Sequence, residues 1–277
     1  MSIATEITAL DTNLNAAKEA VEAKGGTVGD TGLAGLAGEI ATIPSGGAVF
    51  GTVTYVDGEN VEHTVNIQNP DELHSLCTMD NTNVTIGGET FGNRNIVRVD
   101  LGSEAYYLKD NFLYNCNKLT TITGVENLYF IGVNFLYGCS ALDCELNFTN
   151  LEGSTGTSFL RNCYALNHTV TLGSKITELG TNFMQECRAF AQNFTVPSTI
   201  TTLGTGFMRN CNNFTGNLVC NSSVHPLSGD NYALSTTSAT ATMHTTGVTL
   251  TGTYASEWKN ALADRDSSPY RKLILGS

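Results

Sequence analysis

The sequence predicts an α/β repeat protein, a solenoid of about five or six short coils. One pattern of roughly 24 residues occurs five times between residues 105 and 214, with the order Phe-Leu/Met-x-x-Cys-x-x-Leu/Phe. The five cysteines follow one another at intervals of 23, 24, 24 and 24 residues. A unit this short cannot bury its apolar face alone, so the copies must stack. The copies are built on Phe112 and Cys116, Phe135 and Cys139, Phe159 and Cys163, Phe183 and Cys187, and Phe207 and Cys211.

The repeat has a longer form in which Leu-Gly precedes the phenylalanine, as in Leu179-Gly180 before Phe183. Phe, Cys and Leu/Phe at positions i, i+4 and i+7 lie on one face of a helix. We therefore expect each segment to be a short helix or a turn that faces the core, with the phenylalanines stacked from coil to coil.

The stretch before the repeats predicts a β-rich region that covers the first coil. Residues 48–68 alternate in hydrophobicity on both sides of Asp57-Gly58, which predicts a hairpin. A short helix around Leu73 and strands at 84–86 and 96–101 follow. Terminal repeats are atypical because they must shield an open core.

The stretch after Phe214 predicts the other end of the solenoid. Leu218 and Val219 indicate a degenerate sixth coil, and residues 248–250 and 272–275 have the composition of strands. A short helix over 254–263 holds the only tryptophan, Trp258. We expect it to cap the C-terminal end.

Residues 2–24 predict a helix with a heptad seam. Isoleucine at the first core positions favours three or four strands over two, which makes a homotrimer one prediction. The alternative is an amphipathic helix that packs on its own chain. The candidate seam comprises Ile3, Ile7, Leu10, Leu14, Ala17 and Val21.

Four parts follow from these patterns. Residues 1–47 form a helical attachment or oligomerisation segment that ends at Pro44-Ser45-Gly46-Gly47. The other parts are a β-rich connecting and N-capping region (48–104), the solenoid (105–252) and a C-terminal cap (253–277).

The composition of the chain excludes some classes of binding partner. A net charge of −12 and a pI near 4.7 argue against nucleic acid and anionic membranes, which attract clustered Lys and Arg. The sequence has no apolar run of membrane-spanning length and no signal-peptide pattern at its N-terminus. We expect synthesis in the cytosol without export by that route, and no membrane insertion.

Eight cysteines raise the question of disulfides. Five occupy one repeat position, where stacking brings neighbours close enough to pair, but five residues cannot pair completely. Cysteine is also among the residues most often buried as a small hydrophobe. We expect free, buried thiols.

No catalytic motif occurs, and the five histidines lack metal-ligand spacing. Glu59 and Glu62 flank a turn, where a solvated hairpin tip is the simpler interpretation than a paired-carboxylate site. We therefore expect no enzyme activity, no catalytic residue, no cofactor and no metal.

One position of the repeat predicts an interaction surface. If Phe and Cys face the core, the residue two positions after each Phe faces outwards, and stacking aligns it from coil to coil. Tyr and Arg are frequent anchors of interfaces. The alternative is an ordinary solvated turn whose long side chains cover the repeat edges. The candidate stripe comprises Tyr114, Tyr137, Arg161, Gln185 and Arg209.

The repeat resembles the BspA-type leucine-rich repeats, whose usual unit is Ile/Leu-Gly-x-x-Ala-Phe-x-x-Cys-x-x-Leu. The resemblance covers about residues 105–214 and implies a leucine-rich-repeat solenoid. Family members are mostly surface-exposed adhesion or ligand-binding modules, usually attached to a signal peptide. The chain departs from the unit where alanine is common, with Asn134, Ser158, Asn182 and Gly206.

Residues 1–47 resemble N-terminal segments of phage tail and other virion proteins, which anchor a variable distal domain. The resemblance rests on the polar heptad helix, on Val21–Thr27 and on Leu33–Pro44. It implies attachment to other virion proteins and release from the host without a signal peptide.

Together these patterns predict a phage virion structural protein of the tail-fibre or tail-tip type, located in the virion and made in the host cytoplasm. Its solenoid would bind a host-surface protein or glycan. The alternatives are a capsid-attached head fibre or decoration protein, and a bacterial cell-surface adhesin.

Overall fold

The structure is a computed structural model that describes residues 49–79, 81–103, 107–226, 234 and 248–263. The chain divides into two units between Val49 and Phe50, and the description concerns the second. The predicted heptad seam from Ile3 to Val21 lies outside the described residues, as does the predicted strand at 272–275.

The described part begins with the predicted hairpin, which is confirmed. Strands β1 (Gly51–Val56) and β2 (Glu62–Ile67) pair antiparallel. The Asp57 carboxylate closes the turn between them by accepting hydrogen bonds from two backbone N–H groups, each at 2.9 Å. Because the turn is fixed by its own aspartate, the register of the hairpin is set locally.

A short helix and a second hairpin follow. Helix α1 (Pro70–Ser75) begins with proline in its first turn, and Asn69 caps it by accepting from the Glu72 N–H at 2.9 Å. Strands β3 (Asn83–Ile86) and β4 (Glu89–Gly92) pair antiparallel.

Strand β5 (Ile96–Asp100) joins this region to the repeats. It pairs antiparallel with β1 and parallel with β7 (Thr121–Thr123), in the sheet order β2-β1-β5-β7. The first hairpin therefore continues the sheet of the first coil and covers an edge that would otherwise be open to another strand.

Each coil of the repeats has three sides, and two of them are short parallel strands. The first strand side holds β5, β7, β9 (Leu146–Phe148), β11 (Val170–Leu172), β13 (Phe194–Val196), β15 (Asn217–Cys220) and β16 (Thr249–Thr251). The second holds β6 (Tyr107–Leu108), β8 (Phe130–Ile131), β10 (Gly153–Ser154), β12 (Ile176–Leu179) and β14 (Thr202–Leu203). The result is a β-solenoid of about five turns, which confirms the predicted fold.

The third side, called the turn side below, carries the Phe and Cys positions. It comprises residues 111–119, 134–142, 158–166, 182–190 and 206–214. Of the two conformations expected for these segments, the structure has turns. Within 158–166, Ser158, Leu160 and Asn162 have φ of 62°, 53° and 65°, and the other four segments repeat positive φ at the same three positions. Left-handed residues alternate with others, so no helix can form.

The core confirms the predicted stack of phenylalanines. Phe112, Phe135, Phe159, Phe183 and Phe207, the phenylalanine column, are fully buried. Successive ring centroids lie 5.2–5.8 Å apart with interplanar angles of 9–15°. Helix α2 (Ala255–Ala263) ends the column: buried Trp258 packs edge-on to Phe207 and donates from Nε1 to the Ser222 carbonyl at 3.1 Å.

The Leu-Gly step of the repeat is explained by close approach between coils. A Cβ on Gly180 would lie 2.0 Å from the Gly156 carbonyl oxygen, and one on Gly204 would lie 2.3 Å from the Thr181 nitrogen. Only glycine fits there without moving one coil away from the next.

Candidate functional site on the turn side

The turn side is built by backbone hydrogen bonds that repeat at each step between coils. Between the third and fourth segments, Ser158 N–H donates to Thr181 at 2.8 Å, and Asn162 N–H donates to Gln185 at 2.8 Å. In the reverse direction, Met184 N–H donates to Phe159 at 2.9 Å. Left-handed residues aim these groups at the neighbouring coil, and Asn and Gly occupy most of the flanking positions because they tolerate φ > 0 best.

The repeated cysteines form a ladder of thiols behind these turns. The thiols of Cys139, Cys163, Cys187 and Cys211 each donate to the carbonyl of the middle left-handed residue (Leu or Met) of the preceding segment, at 3.1–3.2 Å. Cysteine thus supplies a small apolar volume and one donor for a buried carbonyl. All eight cysteines of the chain are free, in agreement with the expectation.

Burial makes these thiols unreactive. Burial, followed by the neighbouring thiols, raises the pKa of Cys139 and of Cys187, and burial raises the pKa of Cys163. Cys220, outside the ladder, has a pKa raised to about 12 by burial. Because the thiolate is the nucleophile, the ladder is structural rather than catalytic.

The structure brings the five residues of the candidate stripe together on adjacent coils, but not all of them face outwards. The Tyr114 and Tyr137 rings are stacked with centroids 4.7 Å apart, and the Arg161 guanidinium lies 5.5 Å from the Tyr137 centroid. Arg209 is half-buried. Gln185 is only 6% exposed, so the expectation of an outward position was wrong there. Gln185 lies on the coil between those of Arg161 and Arg209.

A second set of residues beside the stripe was missed by the sequence analysis. The Arg188 guanidinium lies 4.8 Å from the ring centroid of Tyr164, a residue that is 40% exposed. Arg188 Nε donates to Glu186 at 2.9 Å. Tyr164 and Arg188 each directly follow a ladder cysteine, so the Tyr and Arg at that repeat position were the signal in the sequence. The set comprises Asn117, Ser140, Tyr164, Arg188 and Asn212.

Two carboxylates near the first hairpin turn are held by neighbouring side chains. Glu62 pairs with Arg98, and Asp57 forms a hydrogen bond with His63 at 2.8 Å. That hydrogen bond is the main cause of the lowered pKa of Asp57. These contacts tie the hairpin together, and Glu62, one of the two glutamates considered for a paired-carboxylate site, is engaged by Arg98.

Within the described ranges, no three His, Cys, Asp or Glu side chains are grouped so that they could hold a metal ion. No helix in that part of the chain has both the length and the apolar character needed to cross a membrane.

Comparison with known proteins supports the fold from a separate direction. No curated protein matches the chain significantly. The family described as BspA type Leucine rich repeat region matches in six copies, over residues 72–191 and 144–256. Repeats of this type generally mediate protein binding or adhesion. These matches span about two thirds of the sequence, and the chain therefore belongs to the BspA-type leucine-rich repeat family.

Proposed function

We propose that the chain is a non-catalytic recognition protein of a phage virion, of the tail-fibre or tail-tip type. In this proposal residues 1–47 attach it to other virion proteins, and the solenoid presents its turn side to the surface of a host cell. The proposal joins the binding or adhesion role of the repeat family to the resemblance of the N-terminal segment.

The observation that carries the recognition part is the contrast between inner and outer positions of one repeat. The inner positions keep Phe and Cys in all five segments. The stripe position instead reads Tyr, Tyr, Arg, Gln and Arg, and the position after Cys reads Asn, Ser, Tyr, Arg and Asn. A fold that needs only its inner positions leaves the outer ones to match a ligand, as in other solenoid binding proteins.

The attachment part is supported by the N-terminal sequence. If the seam from Ile3 to Val21 forms a coiled coil, the full chain should be a trimer in solution, and Leu10→Asp should convert it to a monomer. Light scattering on the two full-length proteins measures this. If the wild-type protein is a monomer, the coiled-coil prediction is wrong and the decoration-protein alternative is favoured.

The virion location is tested by immunogold labelling of phage particles purified from lysates of the organism that carries the gene. Label at the tail tip is the expected result. Label on the capsid would replace it by the head-fibre alternative, and label on cell surfaces alone would replace it by the bacterial adhesin.

The recognition surface is tested by binding of the fluorescent full chain to intact host cells. Replacing Tyr137 and Arg161 together by alanine should abolish binding while the melting curve stays that of a folded protein. Unchanged binding by this double variant would show that recognition uses another face.

A further inference from the structure

We infer that the turn side binds an acidic polysaccharide over its last three segments, through Arg161 and Arg188 with Arg209 as a third charge. This inference rests on the proposed function, because it names the class of surface ligand.

The first support is the local charge. The whole chain carries a net charge of −12, yet residues 158–166, 182–190 and 206–214 hold three arginines and one carboxylate, Glu186. A local positive field on an acidic protein favours an anionic ligand at that place.

The single carboxylate is already engaged. Glu186 accepts a hydrogen bond from Arg188 Nε at 2.9 Å and another from the Asn210 side-chain amide. Arg161 has no such partner: within the described part of the chain its guanidinium forms no hydrogen bond or ion pair, and its Nε is buried. Among the described residues, the Arg161 guanidinium instead makes a cation–π contact with the Tyr137 ring. A guanidinium has five N–H donors and binds a carboxylate or sulfate in bidentate fashion. Such an acid group would give the Arg161 guanidinium the hydrogen-bond acceptors that the described residues do not supply.

The spacing of the charges fits a polymer with a repeating acid group. The backbones at Arg161 and Arg209 are two coils apart, since Asn162 bonds to the Gln185 carbonyl and Glu186 bonds to the Arg209 carbonyl. At the usual separation of hydrogen-bonded strands, two steps amount to about 10 Å. Arginines that recur along the solenoid can meet the acid groups of an extended uronic or sulfated chain one after another.

The surroundings favour a saccharide over a peptide. Among the exposed large hydrophobic residues described, Tyr164 is the one within these three segments, so the side chain of a peptide would find little apolar surface to anchor on. A polar group suited to sugar hydroxyls occupies the same repeat position as Tyr164 two coils later. Asn212 Oδ1 is buried and makes no hydrogen bond with the described residues, so it is an acceptor that a hydroxyl could satisfy.

The test is titration calorimetry of the full-length protein with polygalacturonate (carboxylated) and heparin (sulfated), beside neutral dextran and polyglutamate. We expect binding to one or both acidic polysaccharides, weakened by salt as for any exposed charge contact. Arg161→Ala should weaken it by about tenfold or more. Arg161→Lys should recover only part of the loss, because lysine keeps the charge without the fork.

Arg98→Ala is the matched control, since it removes an exposed arginine from the N-terminal sheet, where its partner is Glu62. It should leave the affinity unchanged. Equal affinity of Arg161→Ala and wild type, with both folded by melting curve, would overturn the inference. So would binding of dextran or polyglutamate as tight as that of the acidic polysaccharides, or binding of neither acidic probe.

Cell binding separates this inference from the proposed function. Wild-type and Arg161→Ala proteins that bind host cells equally would refute the polysaccharide site and leave the recognition role standing. A wild-type protein that binds polygalacturonate through Arg161 but attaches to no host cell would refute the recognition role and keep the site.

Discussion

The turn side and the two strand sides of the solenoid hold the same coils together in different ways. The strands are interrupted: they form separate ladders such as β9 with β11, and β10 with β12 and β14, and the register shifts between Gly153 and Ser154. The turn side instead repeats one set of backbone bonds, one ring stack and one ladder of thiols across its segments. The most regular side of this protein is therefore the one that contains neither helix nor strand.

Spacing along the chain shows the same contrast. The first cysteine interval is 23 residues and the others are 24, yet all five turn segments have the same nine-residue length. The first repeat is one residue shorter than the others, and the difference lies on the strand sides, between Leu119 and Asn134. Strands can lose a residue at a corner, whereas the turn side needs left-handed residues at three fixed places.

The largest expected effect is alkaline loss of stability through the turn side. Buried thiols such as Cys139, Cys163 and Cys187 have raised pKa values. The folded protein thus keeps protons that the unfolded chain releases above about pH 8.5. Stability is full below that pH and falls above it, by about 1.4 kcal/mol per pH unit for each such thiol. Urea melts from pH 7 to 10 measure the decline. Cys187→Ala should make it shallower, and an equally steep decline in that variant would contradict the prediction.

A core phenylalanine from each side allows a direct comparison. Phe159 and Phe148 are both fully buried, but Phe159 stacks between two rings of the column while Phe148 lies on strand β9 and meets the column edge-on. Each change to alanine should cost about 3–5 kcal/mol, with Phe159→Ala at the upper end. Free energies of unfolding from denaturant melts decide the order. A larger loss of stability for Phe148→Ala would mean that packing on the strand side contributes more to stability than the stack on the turn side.

Glycine at the corner tests how closely the coils approach. Gly180→Ala should cost about 1–3 kcal/mol, because the new methyl group meets the Gly156 carbonyl at 2.0 Å. Gly58→Ala is the control, since a Cβ there meets nothing within 4 Å. The midpoint of thermal unfolding should fall for the first variant only, and equal midpoints would mean that the coils can separate at no cost.

The smallest predicted effect isolates backbone conformation on the turn side. Asn182 has φ of 60°, so Asn182→Ala should cost about 1 kcal/mol, whereas Asn182→Gly should be nearly neutral. Denaturant midpoints of the two variants measure the difference. If glycine costs as much as alanine, the asparagine side chain rather than its φ is what matters.

The sequence predicted the inner half of the repeat well, because burial selects large or small apolar residues at fixed spacing. Phe159 and Cys163 point inwards as expected, and the hairpin around Asp57 and the helix with Trp258 are where their patterns placed them. Periodicity could not decide between helix and turn for the Phe–Cys segment. The same i, i+4 and i+7 spacing brings residues inwards in both.

The alternating positive φ values of the turn segments could not be predicted from the sequence, for a different reason. Leu160 and Met184 have positive φ, a conformation that local preference disfavours for such side chains, and their N–H groups donate to the preceding coil. The hint lay at the neighbouring positions, where Asn134, Asn182 and Gly206 replace the alanine usual in this repeat type. The burial of Gln185 could likewise not be read from the sequence, because the same repeat position carries the exposed residue types Tyr and Arg in the other coils.

The three left-handed positions of each turn segment have a consequence for how such a protein can change in length. A single inserted residue within a segment would move every later amide and thiol out of line with its acceptor, whereas a whole added coil would meet its neighbours through the same bonds. Duplication of one repeat in the gene is thus the inexpensive route to a longer protein. The reach of its surface should vary in relatives by steps of about 24 residues rather than continuously.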